Sequence, residues 1–275
     1  MTEKENCPQL KLTNTLPKMS NALNMLGTIT LEEMDSVKLM NRIDTKYVTT
    51  EACLEEILGD AAGHGYRVLV TEDSRISPYD SIYYDTPALK MFTDHHNRRL
   101  TRQKVRTRAY LNSRDAFLEI KRKNNKGRTK KKRMSIPFGE LNDFRSDPVA
   151  AEYLAGHSAF TADAISPVLE TLFRRITLVN KAMTERLTID TKLCFKNFRT
   201  GSEASLRDAV IIELKQDGHA ASEMKEILLG HRVKPLRVSK YCIGVTLTDP
   251  SAKHNRFKRK VRTIEKIINK KISSL

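Results

Sequence analysis

Four basic side chains recur at every second position of one short segment of this sequence. The segment RQKVRTRAY places Arg102, Lys104, Arg106 and Arg108 two residues apart. Alternate residues of a β-strand point to the same face, so a strand here would carry four cations on one face. Guanidinium groups bind phosphate oxygens in pairs, and ammonium groups bind them as point charges. The spacing therefore indicates a surface for a phosphate-rich anion.

Similar alternation recurs in other segments that lie far apart in the chain. In FLEIKRK, Glu119 and Lys121 share one face, whereas Leu118 and Ile120 take the opposite face. Further polar residues that fall in phase are Arg42, Asp44 and Lys46 in RIDTK, Arg186, Thr188 and Asp190 in ERLTID, and Glu213 and Lys215 in IIELK. A basic strand face can be no more than a solvated surface, but its recurrence with nearby acids favours a functional role.

In the segment TKKKRMSIP, alternation does not show which residues share a face with the other cations, because four consecutive residues are basic. Either Lys130 and Lys132 or Lys131 and Arg133 share the face of the other cations, since a shift of one residue exchanges the two faces. We expect Lys130 and Lys132 to take part in binding.

About eight antiparallel strands, with helices at the start, middle and end, would position these residues. Short β-branched, aromatic or alternating runs separated by turn-like stretches favour such strands over β-α-β units. Strands are expected at 43–50, 66–71, 81–86, 101–110, 116–123, 129–138, 185–198 and 208–217, and helices at 30–42, 51–58, 148–157, 221–230 and from 253 onward. The segment 167–180 fits a helix or a strand.

The pairing of a cationic face with an apolar face predicts the architecture. We predict an α+β fold built on a closed antiparallel eight-stranded β-barrel, with a cationic lumen and helices that cover its apolar outer face. Cations crowded in a lumen repel one another at low dielectric, and a linear triphosphate or polyphosphate would relieve that repulsion. Glu213 and Glu119 could hold Mg²⁺ or Mn²⁺, which prefer carboxylate and phosphate oxygens, and Asp44 or Asp190 could join them.

The composition of the chain limits which partners it can bind and in which compartment it is expected. The 275 residues include 49 Lys and Arg against 33 Asp and Glu, a formal net charge of +16 that calls for an anionic partner. No apolar run is long enough to cross a bilayer, and the N-terminus lacks a secretory signal. The four cysteines lie far apart without a C-x-x-C spacing, so we expect no zinc site and a cytoplasmic location.

The chain shows no convincing domain boundary, and we divide it by its composition and predicted elements alone. Residues 1–28 are expected to be a loosely ordered lead-in, 29–252 one tunnel domain, and 253–275 a basic helix that packs on the tunnel or caps one end of it. P-loop and dinucleotide-binding glycine motifs do not occur. A nucleic-acid-binding module is an alternative that the charge permits, but aromatic residues make up only 6% of the chain.

Seven segments together resemble a known family. RIDTKYV, YYDTPALKMF, RQKVRTRAY, FLEIKRK, ERLTID, IIELK and VSKYCIGV occur in this order and look like the catalytic domain of the vacuolar transporter chaperone, the polyphosphate polymerase domain. That family belongs to the triphosphate tunnel metalloenzymes. The resemblance covers about residues 30–250 and implies a tunnel that binds ATP and polyphosphate with divalent Mn²⁺ or Mg²⁺.

The resemblance also implies roles for individual residues. The catalytic set would be Lys46, Arg106, Arg108, Lys121 and Lys240. The resemblance adds Arg102, Lys132, Arg174, Arg186 and Arg237 as residues that bind triphosphate or polyphosphate, and Glu213 as a metal ligand. The alternation of charged residues alone adds Arg42, Lys104, Lys130 and Lys215 to the binding set and Glu119 to the metal ligands.

Two departures from the family pattern bear on function. Hydrolytic tunnel enzymes often carry E-x-E-x-K in the first strand, where this chain has Arg42 and Asp44 before Lys46. This change favours a polymerase-like phosphotransferase that moves the ATP γ-phosphate onto a polyphosphate chain. The alternatives are a triphosphatase and a catalytically silent polyphosphate binder.

The second departure concerns further domains. Some family members also carry a phosphate-sensing domain and membrane helices, so a separately encoded membrane partner at the inner face of the membrane is an option.

Overall fold

An antiparallel sheet of eleven strands organises the part of the protein that the structure describes. The computed structural model describes residues 17–35, 42–218 and 221–272. The strands are β1 (Gly27–Ile29), β2 (Arg42–Thr50), β3 (Arg67–Leu69), β4 (Ser77–Asp85), β5 (Arg102–Tyr110), β6 (Asp115–Lys123), β7 (Thr129–Ile136), β8 (Ser166–Val179), β9 (Glu185–Asn197), β10 (Glu203–Ser205) and β11 (Ala209–Asp217). Among these described strands, β1 and β3 form the one parallel pair, and all other pairs are antiparallel.

Eight of these strands form one curled path, and this path corrects the predicted barrel. Their order is β2-β11-β9-β8-β4-β5-β6-β7, with β1, β3 and β10 attached at the side. Among the described strands, β2 and β7 do not pair with each other, and the sheet curls through 193°. The fold is therefore α+β with an open half-barrel, and the predicted closure is not confirmed. The long strands twist and curl the sheet without a ladder that joins its two edges.

Some helices cover the outer, apolar face of the half-barrel, and others close one end of its concave face. They are α1 (Pro17–Asn24), α2 (Leu31–Asp35), α3 (Glu51–Gly63), α4 (Lys90–His96), α5 (Pro148–His157), α6 (Glu223–Gly230), α7 (Lys240–Thr248) and α8 (Asn255–Ile268). Their starts follow local chemistry: the hydroxyl of Thr50 accepts a hydrogen bond from the backbone N–H of Cys53 at the start of α3, and Asp147 caps α5 in the same way.

Three large apolar clusters hold the helices against the sheet. One joins α4, α7 and α8 to inward-facing residues of β4, β8 and β9, where Tyr241 of α7 stacks on Tyr83. These three helices therefore do not lie outside the barrel as predicted. A second joins α1, α3 and α6 to the outer face of β9 and β11, and a third joins α5 to the outer face of β5 and β6. Val105 and Leu118 lie in the third cluster, so the apolar positions of the alternating segments point outward as predicted.

Most predicted elements agree with the structure, and the differences are local. The ambiguous segment 167–180 is the long strand β8, which pairs with β4 and β9 over most of its length. Helix α2 covers only the start of the helix predicted at 30–42, and residues 36–41 lie outside the described ranges. Helices α1, α4 and α7 and the short strands β1 and β10 were not predicted, and α1 lies within the segment expected to be a loosely ordered lead-in. Among the described residues, no helix combines the length and apolarity that a bilayer span requires.

Candidate functional site

The concave face of the half-barrel encloses a cavity of about 980 Å³ with a strongly cationic wall. Among the described residues, fifteen Lys and Arg side chains line it, against five Asp and Glu side chains. The cations are Arg42, Lys46, Arg75, Arg102, Lys104, Arg106, Arg108, Lys121, Lys123, Lys131, Arg133, Arg175, Arg186, Lys215 and Lys240, and the acids are Asp44, Glu72, Asp115, Glu119 and Glu213. We call this space the basic cavity.

Strands β5, β6 and β7 place two rows of charge across one wall of the basic cavity. In the first row Lys121 pairs in register with Lys104 on one side and with Lys131 on the other, so three lysines lie side by side. In the second row Glu119 lies between Arg106 and Arg133. Like charges in directly opposite positions repel, so the lysine row is unfavourable without a bound anion.

Glu119 neutralises part of this wall. Its Oε2 accepts hydrogen bonds from Nε and Nη2 of Arg106, at 2.7 and 2.5 Å, and its Oε1 forms an ion pair with Lys131. The Glu119 side chain is fully buried. Burial opposes ionisation, but Arg106, Arg108 and the neighbouring lysines hold the pKa of this carboxyl far below its usual range. Both carboxylate oxygens are therefore engaged by cations.

A second buried ion cluster lies on β8, β9 and the first turn of α7. Arg175 donates to both oxygens of Asp190, at 2.6 and 2.8 Å, and Lys240 contacts Oδ2 of the same carboxylate. Lys240 is the first residue of α7 and lines the cavity, and Ser239 caps this helix by accepting a hydrogen bond from the backbone N–H of Cys242. The Ser239 hydroxyl also accepts one from Lys104 Nζ at 2.7 Å, which ties α7 to β5.

The third charged group lies on the neighbouring strands β2 and β11. Lys46 Nζ is 2.9 Å from Glu213 Oε2, and Lys215 Nζ is 3.8 Å from the same oxygen. Burial raises the pKa of the Glu213 carboxyl, but Lys215 and Lys46 outweigh it, and the pKa lies well below its usual range. Glu213 is thus ionised and faces the basic cavity at neutral pH.

Aromatic rings support several of the cations. Tyr79 and Phe173 stack with centroids 5.3 Å apart, and Arg108 and Arg175 each lie within 5.5 Å of both ring centroids. The ammonium of Lys240 lies 4.7 Å from the centre of the Phe173 ring. The negative face of an aromatic ring attracts cations, so these rings hold guanidinium and ammonium groups in place without adding negative charge.

Burial and the crowding of cations lower the pKa of lysines in the cavity wall. The charge of Arg106, followed by burial, lowers the pKa of Lys121 well below its ordinary value. Burial lowers the pKa of Lys215 to about 8 and that of Lys240 to about 8, although Glu213 and Asp190 partly compensate. An anion in the cavity would favour the charged form of each lysine.

Tyr83 and His95 are two uncharged groups in the same wall. Burial raises the pKa of Tyr83, but the cations led by Arg106 outweigh it and bring the pKa to about 8. The Tyr83 hydroxyl accepts a hydrogen bond from Arg106 Nη1 at 3.0 Å. Burial, with Lys104 and Arg102, lowers the pKa of His95 to about 2, so its ring is neutral at physiological pH.

The two ends of the basic cavity differ in their mixture of charges. Near the connection between β5 and β6, the wall includes the acids Asp115 and Glu72 as well as cations, which are Arg42, Arg75, Arg186 and Lys215. At the opposite end, where β5 begins, Arg102 pairs with Lys123 and the lysine row follows. We call this second end, formed by Arg102, Lys104, Lys123 and His95, the basic mouth.

Twelve of the sixteen residues predicted for the site line the basic cavity, and four do not. Those in the wall are Lys46, Arg106, Arg108, Lys121, Lys240, Arg42, Arg102, Lys104, Arg186, Lys215, Glu213 and Glu119. The four outside it are Lys130, Lys132, Arg174 and Arg237.

Strand register explains the corrections on β7 and β8. On β7, Lys131 pairs with Lys121 and Arg133 pairs with Glu119, so these two residues face the cavity and Lys130 and Lys132 face away. On β8, Arg175 pairs with Asp190 and takes the inward position, whereas Arg174 takes the outward one.

Sequence reasoning missed several residues of the wall. Arg175 adjoins Arg174 in sequence, and only the pairing with β9 distinguishes the two. Arg75 lies outside the predicted strands, and Tyr79 and Tyr83 were not singled out because an aromatic residue in a strand is ordinary core material. The regular positions of Tyr79, Ser81 and Tyr83 on one face of β4 are a signal that could have identified them.

The described residues contain no group of three or more His, Cys, Asp or Glu side chains that could hold a metal ion. A site built from protein ligands alone is thus not present in that part of the chain. Glu213 fits a different arrangement, because Mg²⁺ is often bound by one or two carboxylates together with substrate phosphates, and both ion pairs of Glu213 use Oε2. Glu119 fits it poorly, since cations occupy both its oxygens.

The fold and its wall define a class of protein in which a half-barrel encloses a strongly cationic cavity. The family description "VTC domain" matches residues 41–248, and the chain belongs to this family. No curated protein matches the chain.

Two solved structures are similar at low sequence identity. The PH1819 protein from Pyrococcus horikoshii OT3 is 13% identical, with 74% of this chain and 98% of that chain covered and a TM-score of 0.41. The putative adenylyl cyclase HpAC1 from Hippeastrum, described as having a dominant triphosphatase activity, is 13% identical, with 74% and 95% covered and a TM-score of 0.43. Neither likeness is close enough to transfer a function.

Proposed function

We propose that this protein is a phosphotransferase of the polyphosphate polymerase type, which moves the γ-phosphate of ATP onto a polyphosphate chain inside the basic cavity. The observation that carries the proposal is the excess of fifteen cations over five carboxylates in one enclosed wall. Such a wall repels itself when empty, and a linear chain of phosphates supplies negative charge along its whole length. Membership of the VTC domain family supports the same reading.

The reaction needs positioning and charge stabilisation more than a strong base. An oxygen of the terminal phosphate of the chain attacks the γ-phosphorus of ATP and forms a new P–O bond. The bond from that phosphorus to the β–γ bridging oxygen breaks, and ADP leaves with the electron pair. The attacking phosphate is already ionised at neutral pH, so no proton has to be removed. Phosphoryl transfer of this kind depends on electrostatic stabilisation of a loose transition state.

The chain's own residues divide this work by position. Arg106 and Arg108 lie side by side on β5, where they would contact phosphate oxygens, and the aromatic pair Tyr79 and Phe173 holds Arg108. Glu119 fixes the guanidinium of Arg106, which gives this carboxylate a positioning role rather than the metal-ligand role expected from the sequence. The remaining cations of the wall would hold the rest of the phosphate chain.

Glu213 is the residue that fits a divalent metal. Mg²⁺ or Mn²⁺ bound by this carboxylate and by phosphate oxygens would add positive charge beside the transferring group. Lys46 and Lys215 flank Glu213 and would keep the phosphates close to it.

Incubation of the purified protein with ATP and Mn²⁺, with and without a short polyphosphate primer, tests the proposal. Products would be separated on a gel that resolves chain length. We expect a ladder that depends on the protein and is lost in Glu213→Ala. The control variant Glu226→Ala, which removes an exposed carboxylate from α6, should keep the ladder.

Two other product patterns would contradict the polymerase assignment. Release of free phosphate without a ladder would indicate a triphosphatase. Tight binding of polyphosphate with neither product would indicate a catalytically silent binding subunit.

A further inference from the structure

Helix α8 extends the cationic surface of the protein beyond the basic mouth. Phe257 on its first turn packs edge-on against His95, which lines the mouth, with ring centroids 6.0 Å apart. Arg256 Nη1 donates a hydrogen bond to the backbone carbonyl of His96 at 3.3 Å. The start of α8 is therefore fixed at the edge of the basic cavity.

The outer side of α8 carries a row of exposed cations. Positions three or four residues apart lie on one side of a helix. Arg256, Arg259, Arg262 and Lys266 have this spacing, and all four are exposed. We call these four residues the α8 row. From Arg256 to Lys266 the row continues for about 15 Å along the helix, at a rise of about 1.5 Å per residue.

The opposite side of α8 is already used for packing. Phe257, Ile264 and Ile268 are buried in the apolar cluster that α8 shares with α4 and α7. The helix could not insert this side into a bilayer without leaving the protein. Its single acid, Glu265, accepts a hydrogen bond from the backbone N–H of Ile272 and forms its ion pair with Lys271, which lies outside the row.

Further cations connect the mouth to the row. Lys260 lies between them on the first turns of α8, and burial, followed by the charges of Arg98, Arg237 and Lys104, lowers its pKa. Lys104 itself belongs to the basic mouth. Arg237, which does not line the cavity, thus belongs to the charged surface just outside it.

We infer that the α8 row binds a polyphosphate chain where it extends out of the basic mouth, so that the protein distinguishes long phosphate chains from short ones. This inference rests on the proposed function, because it requires the cavity to hold the end of the same chain. A triphosphate would be contained in the cavity and would not reach the row. A long chain would contact both surfaces and gain affinity from the second.

The test compares two probes and two variants of equal charge. Binding of tripolyphosphate and of long-chain polyphosphate would be measured by calorimetry for the wild type, for Arg259→Gln/Arg262→Gln/Lys266→Gln, and for Lys181→Gln/Lys225→Gln/Lys234→Gln. The second triple variant removes three exposed cations that lie outside α8. Loss of three exposed ion contacts should weaken long-chain binding to the α8 variant by about tenfold.

The expected pattern is specific to chain length and to place. The α8 variant should bind tripolyphosphate as the wild type does, and the control variant should bind both probes normally. The dependence of long-chain affinity on salt should also become less steep in the α8 variant, because fewer phosphate contacts are made.

Three results would overturn the inference. The first is unchanged long-chain affinity in the α8 variant. The second is loss of long-chain affinity in Lys126→Gln/Arg128→Gln/Lys130→Gln instead, which would place the path along the exposed β6–β7 hairpin. The third is an α8 variant that no longer binds phosphatidylserine vesicles, which the wild type binds, but keeps its affinity for long-chain polyphosphate. That result would make the row a membrane contact. Failure of the wild type to bind tripolyphosphate would contradict the proposed function as well.

Discussion

Arg175 and Asp190 face each other across β8 and β9 and form a two-pronged ion pair with N–O distances of 2.6 and 2.8 Å. Asp190 is almost completely buried and also contacts Lys240. One carboxylate therefore fixes two cations of the cavity wall. Removal of one partner from a buried ion pair leaves a buried charge uncompensated, which costs far more than loss of an exposed pair.

We predict that Asp190→Asn lowers the free energy of unfolding by about 3 kcal/mol. Loss of the carboxylate also raises the positive potential of the cavity, so tripolyphosphate should bind the variant more tightly. Chemical denaturation and a binding titration measure the two effects. The control is Asp208→Asn, which breaks the exposed pair with Lys270 and should cost less than about 1 kcal/mol. Equal destabilisation by both variants would contradict the assigned role of Asp190.

The lowered pKa values predict a dependence of binding on pH. Lys215 and Lys240, each with a pKa of about 8, lose part of their charge as the pH rises through 8 in the unliganded protein. A bound polyanion raises these pKa values, so binding takes up protons between pH 7 and 9 and weakens as the pH rises.

Calorimetry of tripolyphosphate binding in buffers with different ionisation enthalpies measures this uptake. Lys215→Arg, which keeps its charge throughout this range, should take up fewer protons. Binding enthalpies that do not depend on the buffer would show that no lysine changes its protonation state.

The close packing of α7 predicts the effect of a single methyl group. A Cβ added at Gly244 would lie 2.7 Å from Cδ1 of Phe195 and would also collide with Leu169. We expect Gly244→Ala to lower the free energy of unfolding by about 1–3 kcal/mol, since overpacking forces the surrounding groups apart.

The same change should reach the cavity because Lys240 lies on the first turn of α7. We expect weaker tripolyphosphate binding under conditions in which the variant is fully folded. Gly156→Ala is the control, since nothing lies within 4 Å of an added Cβ there and the residue is also helical. A folded Gly244→Ala protein with unchanged affinity would argue against a role for α7 in placing Lys240.

From the contacts of the Phe173 ring we predict that its removal lowers the affinity for tripolyphosphate independently of any loss of stability. Phe173→Leu keeps an apolar side chain but removes the ring beside Arg108, Arg175 and Lys240. We expect tripolyphosphate affinity to fall by about fivefold as these cations lose a preferred position. Phe144→Leu, in the cluster on the outer face, should reduce stability and leave affinity unchanged. Equal affinities in the two variants would contradict a positioning role for the Phe173 ring.

For strands with one cation at every second position, the face that points into the cavity could be predicted from the sequence alone. On β5 and β6 the apolar residues between the cations, such as Val105 and Leu118, fix which face is buried. The inward positions of Arg106, Arg108 and Lys121 were therefore predictable.

For runs of adjacent cations, the residue that faces the cavity could not be predicted in this way. Lys130 to Arg133 and the pair Arg174 and Arg175 offer a cation to either face, so only pairing with a neighbouring strand decides which one enters the cavity. Closure of the barrel likewise depends on whether the first and last strands of the path meet, which alternation within single strands does not encode.

Tripolyphosphate binding to two variants of β7 tests the central claim, that the concave face is the polyanion site. Lys131→Ala/Arg133→Ala removes two cations from the wall of the basic cavity, and Lys130→Ala/Lys132→Ala removes two from the outer side of the same strand. We predict that the first variant binds about tenfold more weakly and that the second binds as the wild type does. Equal loss in both variants would mean that total charge, not the cavity, attracts the phosphates, and loss only in the second would place the site on the outer face.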